Sequence, residues 1–293
     1  LIKKKLAKKI VIFSRDEFKQ LMLKEKDFIK KNNKIFRFYI GDVRDKSRLE
    51  WAMHDDIDGV IHSAALKQVP TTEYKPFETV KTNVLGTQNL IENCIKKNID
   101  KTLLISTDKA VSPINLYGAT KLTAEKLIIS ANIFKGKRNC KFSVVRYGNV
   151  MGSRGSVIPL LIQQNENKNA FFTITDKRMT RFNITLDDAS DLVLNCLSKM
   201  KGKEVFVPKL PSYNIITLAK SINPKKKIKF IGIRKGEKLH EELISPGDFQ
   251  NCKESKNYFT IYPHGNFTIN KKINSFSNSY NSFTNKNYLN SAE

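Results

Sequence analysis

Thr107, Asp108 and Lys109 set a hydroxyl, a carboxyl and an ammonium side by side, and Tyr117 and Lys121 follow four residues apart. On a helix that spacing projects both side chains from one face. An ammonium near a phenol favours the phenolate and lowers the tyrosine pKa toward a working range. Such a tyrosine can take the proton of a substrate hydroxyl while hydride leaves the same carbon. The Asp108–Lys109 pair offers what an elimination needs in addition. One group protonates a departing hydroxyl, and the other removes a carbon-bound proton acidified by a carbonyl. Thr107 would hold the substrate by hydrogen bonds. Each group is ordinary by itself, since Tyr–Lys pairs at helical spacing arise by chance and an Asp–Lys pair is usually a solvated loop. Their place in the chain decides for chemistry.

That place follows from the flanking elements. Lys9–Phe13 is a short run of β-formers closed by Ser14, Arg15 and Asp16, a buried strand and its turn. Residues 17–32 carry Phe18, Leu21, Met22, Phe28 and Ile29 at helical spacing. Strands are then predicted over residues 36–40, 59–62, 101–106 and 141–146, with helices over 49–53, 77–97 and 117–131. This alternation implies an α/β fold, a Rossmann-like doubly wound parallel sheet covered on both faces. Its crossovers are right-handed, and ligands bind beyond the carboxyl ends of its strands. The Thr107 cluster falls there. Residues 1–150 form the dinucleotide-type domain, with 185–207 returning to it. Residues 151–184 and 208–265 are assigned to a smaller substrate-binding lobe, and 266–293, rich in Asn, Ser and Lys, to a loosely ordered tail.

Bulk properties exclude several function classes. The 293 residues are 40% hydrophobic, enough for a substantial core. No apolar stretch is long enough to span a membrane, and the basic start lacks the apolar core of a signal peptide, so a cytoplasmic protein is expected. Cys94, Cys140, Cys196 and Cys252 are far apart and read as reduced thiols, and no His or Cys set has metal-ligand spacing. The net charge of +24 favours polyanions, but its lysines are spread over the whole length without interleaved aromatics. Nucleic acid is therefore not the expected partner. A homo-oligomer is expected.

The run from Thr107 to Lys121, Thr-Asp-Lys-Ala-Val-Ser-Pro-Ile-Asn-Leu-Tyr-Gly-Ala-Thr-Lys, resembles the active-site segment of UDP-N-acetylglucosamine 4,6-dehydratases. More narrowly, it resembles the C5-inverting enzymes of pseudaminic acid synthesis, within the extended short-chain dehydrogenase/reductases. The resemblance runs from about Ile10 to Pro263 through Phe13-Ser-Arg-Asp-Glu17, Gly41-Asp-Val-Arg-Asp45 and His62-Ser-Ala-Ala-Leu-Lys67. It continues through Arg146-Tyr-Gly-Asn-Val150, Gly152-Ser-Arg-Gly-Ser156, Arg178-Met-Thr-Arg181 and the segment from Gly232 to Glu241. Large membrane-anchored relatives commonly carry Met at the Tyr117 position.

The resemblance implies a mechanism in which Tyr117, assisted by Lys121, removes the 4-hydroxyl proton as NADP takes hydride from C4. Lys109 or Tyr117 then removes the C5 proton, Asp108 protonates the leaving 6-hydroxyl, and hydride returns to C6. Reprotonation of C5 from the opposite face inverts it. Ser14 and Arg15 suit the 2′-phosphate of NADP. Asp42 and Val43 resemble its adenine contacts, Ala64, Ala65 and Lys67 line its path, and Lys121 also holds the nicotinamide ribose. The UDP-sugar falls to Lys67, Asn149, Arg154, Arg181, Arg234 and Glu237, because arginine pairs match diphosphate geometry.

The sequence departs from that pattern at its start. A first strand and a Gly-rich turn that receives the pyrophosphate are expected, yet the first glycine is Gly41. The chain reads as N-terminally truncated, a gene fragment or a degenerate paralogue, with weak NADP binding and little activity as the expectation. Gln68 stands where these enzymes often show His. A nucleotide-sugar 4-epimerase, which needs no Asp–Lys pair after its fourth strand, is the alternative activity. An inactive paralogue or a basic nucleic-acid-binding protein is the non-enzymatic one.

Overall fold

The computed structural model describes residues 7–53, 57–153, 155–167, 171–263 and 279–290. The chain opens with β1 (Ile10–Ser14), α1 (Glu17–Lys24), α2 (Asp27–Lys31), β2 (Phe36–Ile40) and α3 (Lys46–Ala52). It continues through β3 (Gly59–His62), α4 (Val69–Tyr74), α5 (Pro76–Val80), α6 (Gly86–Lys96), β4 (Lys101–Thr107), α7 (Leu116–Phe134) and β5 (Lys141–Tyr147). A second half adds β6 (Asn149–Val150), α8 (Val157–Glu166), β7 (Phe172–Ile174), β8 (Thr180–Ile184), α9 (Leu186–Lys199) and β9 (Val205–Pro208). Then come β10 (Ser212–Asn214), α10 (Ile215–Ile222), β11 (Ile228–Phe230), β12 (Glu242–Ile244), α11 (Pro246–Phe249), β13 (Cys252–Glu254), β14 (Tyr258–Ile261) and β15 (Tyr280–Asn281).

The main sheet has the order β13-β14-β9-β5-β4-β3, with β3, β4, β5 and β9 parallel and β14 and β13 antiparallel. β4 and β5 are apolar on both faces because helices cover both, and Leu104, Phe142 and Val144 are fully buried. β1 and β2 form a separate parallel pair, and among the described residues no strand joins it to β3. The parallel strands thus expected from the alternation are present, divided between two sheets.

Two expectations need correction here. Residues 252–261, assigned by sequence to the substrate lobe, extend the main sheet beside β9. Residues 279–290, assigned to a loose tail, are packed. Tyr280 sits in the core, donates its hydroxyl to the Leu210 carbonyl and accepts from the Leu210 amide. The Asn285 amide donates to Leu210 and Ser212. Composition misled because these asparagines and serines cap carbonyls of the lobe instead of facing water.

The helix expected over residues 17–32 is two helices, and of its apolar stripe only Ile29 is buried. Phe18, Leu21, Met22 and Phe28 are exposed, while Gln20 is buried. The two-stranded sheet offers no broad apolar face, and the Gln20 amide instead ties the carbonyls of Ser14 and Tyr39. The helix expected over 77–97 contains a π-turn at Lys81–Leu85. That turn presents Asn83 toward the loop after β3, where it bonds Leu66, and Thr87 of α6 bonds His62 at the end of β3.

The second half forms three small sheets, β10-β8-β6, β11-β7 and β12-β15. β7 and β10 pack with α8 and α10 around Leu161, Phe172, Ile174 and Tyr213, while Leu243, Ile244 and Tyr280 of β12-β15 join the main core. Its strands β6 and β12 lie next to β5 and to the turn after β4. That juxtaposition closes the site.

Candidate active site

β4 ends at Thr107, and its parallel register against β5 sets Thr107 beside Tyr147. A 3-10 turn, Asp108–Ala110, follows directly, so a hydroxyl, a carboxyl and an ammonium leave the sheet at one point. The Thr107 hydroxyl donates to Asp108 Oδ1 at 2.8 Å. Lys109 Nζ donates to Asp108 Oδ1 at 3.1 Å and to Asn149 Oδ1 at 3.2 Å. It also pairs with Glu241 Oε1 at 3.3 Å. Asp108 is fully buried and Glu241 is 3% exposed. Among the described residues Asp108 Oδ2 and Glu241 Oε2 have no partner.

The helix bearing Tyr117 is aimed at this turn by its cap. Asn115 Oδ1 accepts from Gly118 N, and its amide donates to the Gly236 carbonyl, which ties α7 to the second lobe. Burial pushes the Tyr117 phenol up to about 12, against the opposing pull of Lys109 and the Thr107 hydroxyl. Lys121, one turn on, does not supply that pull. Its Nζ donates to the Ile105 carbonyl at 2.7 Å, and burial lowers it to about 8 against Glu125. The expected Tyr–Lys face exists, but the ammonium that acts on the phenol here is Lys109. Lys121 is turned to the strand backbone because it is buried against β4.

Gly118 allows this approach. A Cβ there would lie 2.1 Å from the Lys109 carbonyl oxygen and 3.0 Å from Pro113 Cβ. Gly118→Ala must therefore separate α7 from the Asp108–Lys109 turn. A displacement of about 1 Å at reacting groups costs on the order of 100-fold in rate. Steady-state kinetics should show that loss in kcat, with Gly59→Ala, whose Cβ finds nothing closer than 3.8 Å, as the neutral control. Full activity in Gly118→Ala would mean that this packing does not set the chemistry.

Of the other residues singled out by sequence, Asn149 and Arg181 join the cluster. Asn149 accepts from Lys109, and its side chain favours ionisation of the buried Tyr213 phenol nearby, which burial opposes. Arg181 donates to the carbonyls of Thr180, Lys238 and Leu239 and lies 3.7 Å from Glu241. Its donors are thus turned inward, not free on the surface. Arg234 and Glu237 pair with each other in an exposed turn next to Gly236. Arg154 lies outside the described residues.

A second group sits at the carboxyl ends of β1 and β2. Arg15 pairs with Asp42 at 3.6 Å, and Ser14 Oγ accepts from Asp16 N. Burial opposes ionisation of Asp42, but Arg44 and Arg15 hold its carboxyl below the usual range. Val43 is a core side chain against Gly86, where an added Cβ would lie 2.7 Å away. Ala64, Ala65 and Lys67 belong to the loop after β3, which Asn83 clamps through Leu66 while also bonding Thr120 of α7. Among the described residues no metal-ligating cluster occurs, and the four cysteines are free and buried.

Sequence reasoning missed Glu241, Tyr213 and Asn83. Glu241 had a signal, since it closes the motif that starts at Gly232. Tyr213 and Asn83 had none, because only the fold brings them to the cluster.

A family model described as polysaccharide biosynthesis protein matches residues 1–263. The chain is 48% identical over 255 residues to a UDP-N-acetylglucosamine 4,6-dehydratase (inverting) of Campylobacter jejuni, covering 87% of this chain and 75% of that one. It is 45% identical to a UDP-glucose 4-epimerase of Rickettsia bellii, covering 87% and 74%. The X-ray structure of Pen from Bacillus thuringiensis superposes with a TM-score of 0.88 at 38% identity, covering 97% of this chain and 87% of that one.

Proposed function

The chain belongs to the polysaccharide biosynthesis protein family, and within it we propose a nucleotide-sugar 4,6-dehydratase that acts on UDP-N-acetylglucosamine and inverts C5. The observation that carries this reading is the joined cluster of Thr107, Asp108, Lys109 and Tyr117 at the mouth of the parallel sheet. A phenol alone would serve oxidation and its reversal. A buried carboxyl and an ammonium bonded to each other beside that phenol add elimination.

The residues at the ends of β1, β2 and β3 fit a nicotinamide dinucleotide. Arg15 and Ser14 would meet the adenosine ribose, with the guanidinium suited to the 2′-phosphate of NADP, and Asp42 would lie toward the adenine. Ala64, Ala65 and Lys67 would flank its path, and Lys121 its second ribose. When bound, such a cofactor takes hydride from C4 and returns it to C6.

The protein's own residues handle the protons. Tyr117 takes the proton of the 4-hydroxyl, a transfer that Thr107 and Lys109 assist by stabilising the phenolate. Burial, helped by Glu241, raises the Asp108 carboxyl above the usual range, against Lys109 and Thr107, so it carries a proton for the departing 6-hydroxyl. Water is the product of that step. Asp108 and Glu241 raise Lys109 despite burial, so it rests as an ammonium and becomes a base toward C5 only after releasing its proton to solvent. Tyr117 is the other group able to take the C5 proton, once it has released to solvent the proton taken from the 4-hydroxyl. Lys67, Asn149, Arg181, Arg234 and Glu237 are proposed to hold the UDP-sugar, as is Arg154.

The 45% identity to a protein named as a UDP-glucose 4-epimerase favours a second reading, epimerisation at C4. Incubating the protein with UDP-N-acetylglucosamine and NADP or NAD separates the two. A product lighter by one water, carrying solvent deuterium at C5 when made in D2O, is expected. A product of unchanged mass that differs only at C4 would replace the dehydratase by the epimerase. Faster turnover with NAD than with NADP would overturn the cofactor assignment.

A further inference from the structure

The proposed mechanism leaves one buried acid of the cluster without a task. Glu241 lies in the segment leading into β12, its amide donates to Ser282 Oγ, and its carbonyl accepts from Ser282 N. The side chain is 3% exposed and reaches Lys109, with Oε2 unpartnered among the described residues. Backbone bonds alone would hold this segment with any side chain at position 241. A carboxylate that is buried and incompletely bonded is an expensive choice for a merely structural place.

We propose that Glu241 is a positioning residue that shares Lys109 with Asp108, committing itself to the ionised role and Asp108 to the acid role. The inference rests on the dehydratase reading for its consequence, though not for its geometry.

Two carboxylates on one ammonium cannot both ionise cheaply in a dry site, so one keeps a proton. The surroundings decide which. Around Glu241 stand three cations: Lys109 of the turn after β4, Arg181 of β8 and Lys238 of its own segment. Burial opposes its ionisation, and those cations overcome it, holding Glu241 below the usual range. Around Asp108 stand Lys109, the phenols of Tyr117 and Tyr213, and Glu241 itself. Asp108 is the deeper and the poorer in cations, so the proton settles there. This is the pattern in which neighbouring acids are pushed apart to divide acid and base duties.

The arrangement also explains why Lys109 contacts three oxygens from separate elements. Asp108 comes from its own turn, Asn149 from β6 and Glu241 from the approach to β12. The second lobe therefore reaches into the chemistry through a charge, beyond any substrate it binds.

The experiment is a titration of Asp108 in protein labelled with ¹³C at the aspartate carboxyls, its signal assigned by Asp108→Asn. Wild type is expected to keep Asp108 protonated above the pH at which the exposed aspartates ionise. In Glu241→Gln the midpoint should fall, because the charge opposing Asp108 ionisation is gone. Glu241→Asp, which keeps the charge, should stay close to wild type. Should Glu241→Gln misfold, Glu241→Ala repeats the measurement with the volume vacated. In turnover, Glu241→Gln should move the alkaline limb of kcat to lower pH, costing about tenfold in rate above the limb per unit moved, with KM unchanged. An Asp108 midpoint that is unmoved by loss of Glu241, or already at the exposed-aspartate value in wild type, would overturn the proposal. A midpoint that moves as expected in a protein that releases no water from UDP-N-acetylglucosamine would refute the dehydratase reading and leave this pairing standing.

Discussion

Tyr117→Phe should lower kcat by about 10²–10⁴-fold, the contribution typical of a positioned general acid or base. The substitution removes one hydroxyl and keeps the buried ring, so the fold and the binding of a UDP-sugar should survive. Calorimetric titration with the nucleotide sugar should give a dissociation constant close to wild type, while turnover collapses. A loss below about tenfold would show that proton transfer at C4 goes through another group. The pH dependence has a defined sign. Burial places the phenol at about 12, and a base must be deprotonated, so activity should rise with pH on this limb. The Thr107 hydroxyl favours the phenolate, so Thr107→Val should move that rise to higher pH. The acid role proposed for Asp108 would impose the opposite limb, which falls as its proton is lost. A bell-shaped profile results.

The second large effect concerns stability. Glu125 of α7 and Arg146 of β5 are each 4% exposed in their side chains and form two bonds, Nη2 to Oε2 at 2.6 Å and Nε to Oε1 at 3.1 Å. Ser106 donates to the same glutamate, and Arg146 also reaches Asp248 and the Leu243 carbonyl. Glu125→Ala strands a buried guanidinium, which typically costs about 3–5 kcal/mol. Urea unfolding followed by circular dichroism should record that loss as a lower midpoint with a similar slope. The double variant Glu125→Leu with Arg146→Met should recover most of it, since an apolar pair of similar volume removes both buried charges. A single variant as stable as wild type would mean that Asp248 alone holds Arg146. This pair also helps to place Tyr117, because Glu125 lies two turns below it on α7 and bonds Ser106 of β4 and Arg146 of β5.

Arg146 illustrates how a motif is read without its surroundings. It opens the run Arg146-Tyr-Gly-Asn-Val, and an arginine in such a run is equally suited to a phosphate or to the core. Burial beside Glu125 decides for the core. Arg181, proposed to hold the UDP-sugar, is also turned inward. Sequence offered it to a diphosphate, and the fold spends its donors on carbonyls and sets it beside Glu241.

What the sequence by itself determined is local. Thr107 through Lys109 had to leave a strand together because they are adjacent, and Tyr117 and Lys121 had to share a helix face because they are four apart. The alternation of apolar runs with helical spacing required parallel strands, and so put these groups at the carboxyl end of a sheet. Only the tertiary structure decided which charges meet there. Lys109, not Lys121, became the ammonium acting on the phenol, because α7 turns Lys121 to the Ile105 carbonyl and Gly118 brings Tyr117 onto the Lys109 turn. Glu241 became the second carboxylate because β12, 130 residues downstream, is held against that turn by Ser112 and Glu242. Proton affinities depend on burial and on neighbours from distant elements, and spacing along one chain segment encodes neither.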